Sequence, residues 1–296
     1  MPPRRSAGPC RAAARIAPGR GFCETGPTPA PPFSRGAARP AMEAGASGRR
    51  IGNGTSSHTG RDRGPTGAMT AVECIGLALT RAGRPALAGL DWRIAPGELQ
   101  IIAGPTGAGK SALLAVAGLA LPPSGGQLRL FGAPVPPPSR AAEPARAALR
   151  RRIGRAEARP AFLDHLSLAE NVALPLRLAG RGPADRAAQA GELLDWLGLG
   201  PRADDPPSAL SDGERRRAGL ARAVIAGPEL ILADEPSSDL DREGAAQALE
   251  MLAALAAHGA AVAIATGDAD LVRLARHHSE ARILTLTAGR FESLAA

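Results

Sequence analysis

Tyrosine is absent from this 296-residue chain, and Phe, Trp and Tyr together make up 2% of it. A tyrosine therefore cannot stack on any base that the chain binds. Lysine is nearly absent as well: Lys110 is the single lysine among 36 basic residues, the other 35 being arginine. In a chain so biased toward Arg, a lone lysine marks a place that a planar guanidinium fills poorly and a compact ammonium fills well. Cysteine is scarce, and Cys10, Cys23 and Cys74 have neither metal-ligand nor disulfide spacing, which suits a reducing cytosol. No apolar run approaches the roughly 20 residues needed to span a bilayer, so any role at a membrane has to come through a partner.

The formal charge of +8 is unevenly placed. Eleven arginines against Glu24, Glu43 and Asp62 put all of it in residues 1–68, and residues 69–296 balance at 25 basic against 25 acidic groups. The high isoelectric point therefore gives no argument for nucleic-acid binding by the rest of the chain. Residues 1–68 are rich in Pro, Gly, Ala, Ser and Arg without periodic apolar runs, a composition that cannot bury a core. They read as translated upstream sequence of a GC-rich gene, as a disordered tail or as an Arg-rich targeting peptide. The folded part is expected over 69–296.

What is present is one stretch that organises the remainder: Gly104-Pro105-Thr106-Gly107-Ala108-Gly109-Lys110-Ser111, which fits the phosphate-loop pattern G-x-x-x-x-G-K-[ST]. An apolar run, residues 98–103, precedes it as a strand, and residues 111–119 follow with helical spacing. In such a loop the backbone amides curl around a β-phosphate at a helix N-terminus. Lys110 adds a point charge toward the β- and γ-phosphates, and the Ser111 hydroxyl can ligate magnesium.

Along the chain, residues 72–79 and 90–94 read as strands about a turn at Arg81 to Pro85, and Pro96-Gly97 turns into the strand before the loop. Pro122 to Gly126 breaks the chain after the loop helix. A strand over 127–131, a Pro-rich link and an Ala/Arg helix ending near Arg152 come next. Residues 160–200 read as helices, with a capping box at Ser167 to Glu170 and helical spacing from Asp185 to Leu197. From residue 208, helices alternate with strands over 229–234, 260–266 and 282–286. The expected fold is α/β with a mostly parallel core sheet, an N-terminal antiparallel β layer and an α-helical insertion, the helical part covering about 156–227. Gly104, Asp234 and Thr266 fall at the C-terminal strand ends, where such sheets bind ligands. Asp234 there can hold the hydration shell of a magnesium ion, and Glu235 can orient or polarise an attacking water.

Leu210-Ser211-Asp212-Gly213-Glu214, followed by Arg215 to Ala223, lies about 20 residues before Asp234-Glu235, and Ser238-Asp239-Leu240-Asp241 follows that pair. With the phosphate loop, these segments resemble the signature motif and D-loop of the ATP-binding cassette (ABC) ATPases over about residues 70–294. Residues 170–180, 232–236 and 263–266 look most like the cell-division type, FtsE. The lipoprotein-releasing and macrolide-exporting ATPases share much of the same pattern. The resemblance implies ATP and Mg2+ as cofactors and hydrolysis with Glu235 as the catalytic residue. Gly104 to Ser111 would hold the nucleotide, with Ser111 and Asp234 on the metal. It also implies a homodimer on ATP binding, in which Ser211 and Gly213 reach the γ-phosphate of the other copy. An integral membrane FtsX-like subunit is the implied partner, with the chain peripheral on the inner face of the cell membrane, no membrane span of its own and no nucleic-acid partner.

Several positions depart from the family pattern. Leu79 aligns with the aromatic that stacks on adenine, a contact worth on the order of 1–3 kcal/mol. Ala158 stands where the family has a glutamine that reports the γ-phosphate, and Gly267 where it has a histidine. Asp212 replaces a small signature residue; facing a γ-phosphate at about 4 Å it would cost roughly 4 kcal/mol at an effective dielectric near 20, and pointing outward almost nothing. His165 and His277-His278 read as exposed positions and not as substitutes. Two functions follow: a working ATPase that drives a transmembrane partner, or a slow or non-hydrolysing ATP-binding scaffold of the same complex. The partner surface is expected at residues 156–200, where Phe162, Leu163 and Leu166 beside Arg159 serve either as apolar anchors or as the insertion's own small core.

Overall fold

The computed structural model describes residues 70–277 and 281–292. The reading of residues 1–68, with Cys10 and Cys23, and that of His278 lie outside the described residues. The chain opens with two long strands, β1 (Val72–Arg81) and β2 (Arg84–Ile94), paired antiparallel. Between them Ala82 and Gly83 take φ of 48° and 74°. A two-residue hairpin turn whose twist matches its strands needs positive φ at both positions. Strand β3 (Leu99–Ala103) leads through the phosphate loop into α1 (Lys110–Ala117). After β4 (Gly125–Leu130), β5 (Ala133–Pro134) and α2 (Glu143–Arg151) comes β6 (Ile153–Ala156). Helices α3 (Leu168–Val172), α4 (Leu174–Leu178), α5 (Pro183–Trp196) and α6 (Asp212–Val224) fill the stretch before β7 (Leu230–Asp234). The chain then alternates through α7 (Arg242–Ala257), β8 (Ala261–Thr266), α8 (Ala269–Arg276), β9 (Ala281–Thr287) and β10 (Arg290–Phe291).

Two sheets result. Strands β2-β1-β4-β5 form an antiparallel sheet, and β10-β9-β3-β8-β7-β6 form the core sheet, parallel except for the edge strand β10. The core strands are apolar on both faces because both are covered. In β7, Ile231 and Ala233 pack with the helices α3 to α6, while Leu230 and Leu232 pack under the antiparallel sheet with Leu77, Trp92 and Leu113. A buried polar contact joins the sheets: Gln100 accepts from Trp92 Nε1 at 2.9 Å and donates to the Arg93 carbonyl at 2.9 Å and to Glu98 Oε2 at 2.9 Å. A buried amide with both ends satisfied fixes the register of the contact instead of weakening it.

Two strands of the core sheet escape the sequence pattern, the two-residue edge strand β10 and β6. β6 is four residues long and contains Arg155, so neither length nor alternation marks it; it becomes a strand by pairing Ile153 to Ala156 with Leu230 to Ala233.

Cys74 faces the β-layer core at 1% exposure. Burial, followed by the charges of Asp91 and Glu73, pushes its thiol up to about 12. The thiolate is the reactive form, so Cys74 should resist alkylation at pH 8 in the native chain and react fully in denaturant. Mass-spectrometric mapping of iodoacetamide labelling at Cys74 reads this directly.

Candidate nucleotide site

Helix α1 begins at Lys110 without a side-chain cap, because Gly109 precedes it with φ of 105°. A Cβ at Gly109 would stand 2.4 Å from the Ala86 carbonyl oxygen, so only glycine lets the loop pass beneath β2. The first amides of a helix have no intrahelical acceptor. Left uncapped at the mouth of a loop, they are suited to an anion.

Lys110 is 6% exposed. Its ammonium donates to the Gly104 carbonyl at 2.7 Å and to the Pro105 carbonyl at 3.1 Å, and lies 3.7 Å from Glu235 Oε1. A charge pair at that spacing attracts by on the order of 4 kcal/mol at an effective dielectric near 20, before desolvation. Two carbonyls and a carboxylate thus hold the cation where a phosphate chain would otherwise neutralise it.

Beside it, the Ser111 hydroxyl donates to Asp234 Oδ1 at 3.0 Å, across 123 residues of chain. Burial holds the Asp234 carboxyl above its usual range, and Glu235 adds to the rise, while the Ser111 hydrogen bond and Lys110 oppose it. A carboxylate kept short of water, next to a hydroxyl, is a donor set for a hard cation. Glu235 follows with φ of 48°, a left-handed conformation that is uncommon for a side chain of this size. Its carboxylate accepts from Thr266 Oγ1 at 3.0 Å and from the Gly267 amide at 2.9 and 3.1 Å.

The phosphate loop, Asp234 and Glu235 therefore meet at the C-terminal edge of the core sheet. Ser211 and Gly213 do not join them within one chain. Ser211 caps α6 in a reciprocal box with Glu214, whose carboxyl the Ser211 amide and hydroxyl hold below its usual range. A Cβ at Gly213 would lie 2.9 Å from the Asp239 carbonyl, so this segment packs on the loop after Glu235. Among the described residues no hydrogen bond links it to residues 104–111. Asp212 is exposed at the first turn of α6 and stands outside the capping box.

Other expected positions shift in meaning. Leu79 is buried at 6% in the β-layer core and offers no face to a base. Ala158 is half-buried just past β6. Phe162 packs against the helical core with the guanidinium of Arg222 4.7 Å and that of Arg215 5.5 Å from its ring, so it serves the insertion's own core. Leu163 is 44% exposed. His165 and His277 are exposed.

The sequence pattern of ABC transporters matches residues 87–238. The chain belongs to the ABC transporter family. It is 38% identical over 206 residues to the lipoprotein-releasing system ATP-binding protein LolD 1 of Rhodospirillum rubrum, a match covering 69% of this chain and 88% of that protein. It is also 38% identical over 193 residues to the macrolide export ATP-binding/permease protein MacB of Marinobacter nauticus, covering 65% of this chain and only 30% of that longer protein. Among solved structures, the ATP-binding cassette MJ0796, dimeric in a post-hydrolysis state with ADP and Pi, superposes with a TM-score of 0.68 at 28% identity, over 75% of this chain and 97% of that one.

The fold is thus an ABC ATPase domain, of an ATP-hydrolysing family that takes ATP with Mg2+. The residues present fit those cofactors: the uncapped start of α1 and Lys110 suit the phosphates, and the Ser111 hydroxyl with the Asp234 carboxylate suits the cation. Among the described residues no helix is long and apolar enough to cross a membrane.

Two residues that hydrogen-bond to Glu235 have no role assigned by the sequence pattern. The strand pattern puts Thr266 at a strand end and gives it no role there. Arg216 lies in the run Arg215-Arg216-Arg217, yet it shares the buried face of α6 with Leu220, Ala223 and Val224, so helical spacing to those residues is the signal that sets it apart.

Because the folded chain raises the affinity of Asp234 for a proton, the charged form opposes folding at neutral pH and that cost fades as pH falls through the raised pKa. Asp234→Asn should therefore raise Tm in the absence of Mg2+ and nucleotide at pH 7.5, with the gain shrinking toward pH 5, while Mg2+-dependent ATP turnover is lost. Thermal unfolding at the two pH values and a phosphate-release assay measure both effects.

Proposed function

We propose that this chain is the ATP-binding and ATP-hydrolysing subunit of an ABC-type membrane complex. The observation that carries the reading is the single cluster of Lys110, Ser111, Asp234 and Glu235, with Lys110 Nζ 3.7 Å from Glu235 Oε1 and Ser111 Oγ 3.0 Å from Asp234 Oδ1. Residues 104–111 would cradle the phosphates, Ser111 and Asp234 would hold Mg2+, and Glu235 would orient the attacking water. Ser211 and Gly213, which among the described residues make no hydrogen bond to the loop of their own chain, would complete the site of a second copy, as the start of a 13-residue helix is suited to meet an anion.

The membrane partner would dock on the helical insertion, approximately residues 156–200. There Asn171, fully buried, donates to the carbonyls of Leu163, Leu166 and Ser167 and accepts from the Leu163 amide. A clamp of this kind presents exposed Leu163 on a stiff loop, next to a cavity of about 250 Å³ lined in part by Leu166, Leu174 and Arg177. Docking there would keep the chain on the inner face of the cell membrane through its partner. The names of the relatives weigh toward a lipoprotein-release or macrolide-export type of complex, whereas residues 170–180 support a cell-division, FtsE-like subunit with an FtsX-like partner. Co-purification of the chain with each class of permease separates them.

A slow or non-hydrolysing scaffold is the second reading. It is favoured by Ala158 and Gly267 standing at the family's glutamine and histidine positions.

Full-length Glu235→Gln should bind MgATP without turnover and shift from monomer to dimer in light scattering, with Lys110→Ala in the same background remaining monomeric. A monomer that binds ATP tightly would move the scaffold reading ahead. A Cβ at Gly267 has ordinary clearance, 3.6 Å to Glu235 Oε1 and 3.7 Å to Lys110 Nζ. A side chain can therefore start at this position without a backbone clash, and Gly267→His should raise kcat, by up to roughly 100-fold if it supplies the positioning that acid-base groups typically give. Steady-state phosphate release gives the number.

A further inference from the structure

We infer that Arg216 is a positioning residue for hydrolysis: from the buried face of α6 its guanidinium holds both ends of the loop Glu235 to Asp239 and so fixes where the Glu235 carboxylate points. This rests on the reading of Glu235 as the residue that orients the attacking water.

Arg216 is 9% exposed. One terminal nitrogen, Nη1, donates to the Glu235 carbonyl at 3.3 Å, and the other, Nη2, donates to Asp239 Oδ2 at 2.6 Å. Its Nε is buried without a partner. The neighbouring Arg215 goes elsewhere, donating to the Pro207 carbonyl at 2.6 Å and lying near the Phe162 ring. A buried guanidinium with an unsatisfied nitrogen is an unfavourable choice for stability alone, since apolar residues of similar volume often do as well or better.

The loop that it grips is strained. Glu235 and Asp239 have φ of 48° and 64°, in the left-handed region, and side chains persist there only where their surroundings over-determine them. Three further contacts restrain the same peptide. The Glu235 amide donates to the Ala265 carbonyl at 2.8 Å, and the Glu235 carbonyl also accepts from the Ser238 amide at 3.3 Å and the Ser238 hydroxyl at 2.8 Å. Among the described residues, Arg216 is the side chain that hydrogen-bonds to both left-handed residues from outside the loop, because a planar fork can bond two acceptors at once where an ammonium is a single point. Without it the Glu235 carbonyl keeps only the Ser238 contacts and Asp239 loses its tie to α6, so the strained peptide can relax and the carboxylate can shift relative to Thr266, Gly267 and Lys110. A misplacement of about 1 Å in a catalytic group can cost on the order of 100-fold.

The test uses the full chain with Arg216→Gln, Arg216→Lys, Asp239→Asn and Glu235→Gln, reading kcat by phosphate release and ATP affinity by calorimetry. Arg216→Gln should lower kcat roughly 10- to 100-fold with ATP affinity changed less than about twofold, and Arg216→Lys should restore little. Adding Glu235→Gln to Arg216→Gln should cost far less than it costs the unaltered chain, the non-additivity expected of residues that act through one another. Asp239→Asn alters a half-exposed carboxylate and keeps the tests valid should Arg216→Gln not fold; it should give a smaller fall in kcat, again at constant affinity. Unchanged kcat in Arg216→Gln and Asp239→Asn, or parallel losses of kcat, affinity and Tm with additive effects of Glu235→Gln, would overturn the proposal. If Glu235→Gln alone leaves turnover intact, the role of Glu235 fails and the proposal falls with it. If Glu235→Gln stops turnover and Arg216→Gln does not, only the proposal falls.

Discussion

A buried ammonium is the constraint that the site is built to meet. Lys110 begins a helix with its charge withdrawn from water, and a cation so placed needs partners on every open side. Its own loop gives two carbonyls, and the end of β7 contributes the Glu235 carboxylate. For those groups to converge, β3 and β7 must run in the same direction with β8 between them, as the strand order places them. Parallel strands bring their C-terminal ends to one edge, and the crossovers through α1 and α7 are what make them parallel.

At that edge the chain uses backbone where side chains would be expected. Gly267 carries no side chain, yet its amide donates to both oxygens of Glu235, and Thr266 adds a hydroxyl. The carboxylate is held through rigid groups at the end of β8 instead of by mobile ones. Asp234 is under a related constraint, since burial disfavours its charge and its Ser111 contact only partly offsets that cost. Asp234 is thereby kept as an acceptor that a cation or a proton would relieve.

Charge on α6 is arranged by depth. Asp212 stays exposed at the N-terminal turn, where a negative side chain suits the helix dipole, and Glu214 closes the capping box. Arg216, one turn along, is buried under the loop between Glu235 and Asp239. A single helix thus presents a capped, acidic start to its surroundings and a guanidinium to the loop after the chain's own β7.

The phosphate loop, the Asp234-Glu235 strand end and the alternating β/α pattern after residue 208 are legible in the sequence. Each depends on local rules: glycines that permit a tight loop, an apolar run long enough for a buried strand, and helical spacing with capping residues. β6 is not legible, since four residues including Arg155 become a strand only when β7 supplies an edge. Spacing leaves Phe162 open between anchor and core, and the packing of Arg215 and Arg222 on its ring decides for core. Leu79 aligns with a stacking position and is core, because its burial depends on which sheet face the β1 register turns inward. By itself the sequence determined the phosphate-loop segment and the strand that ends in Asp234-Glu235, because glycine-rich loop, helix-start and apolar-strand patterns are local. Which groups hold Glu235, and that Arg216 is among them, was decided by tertiary structure, because those contacts join residues 19 to 32 positions apart through the packing of α6 and β8 against β7.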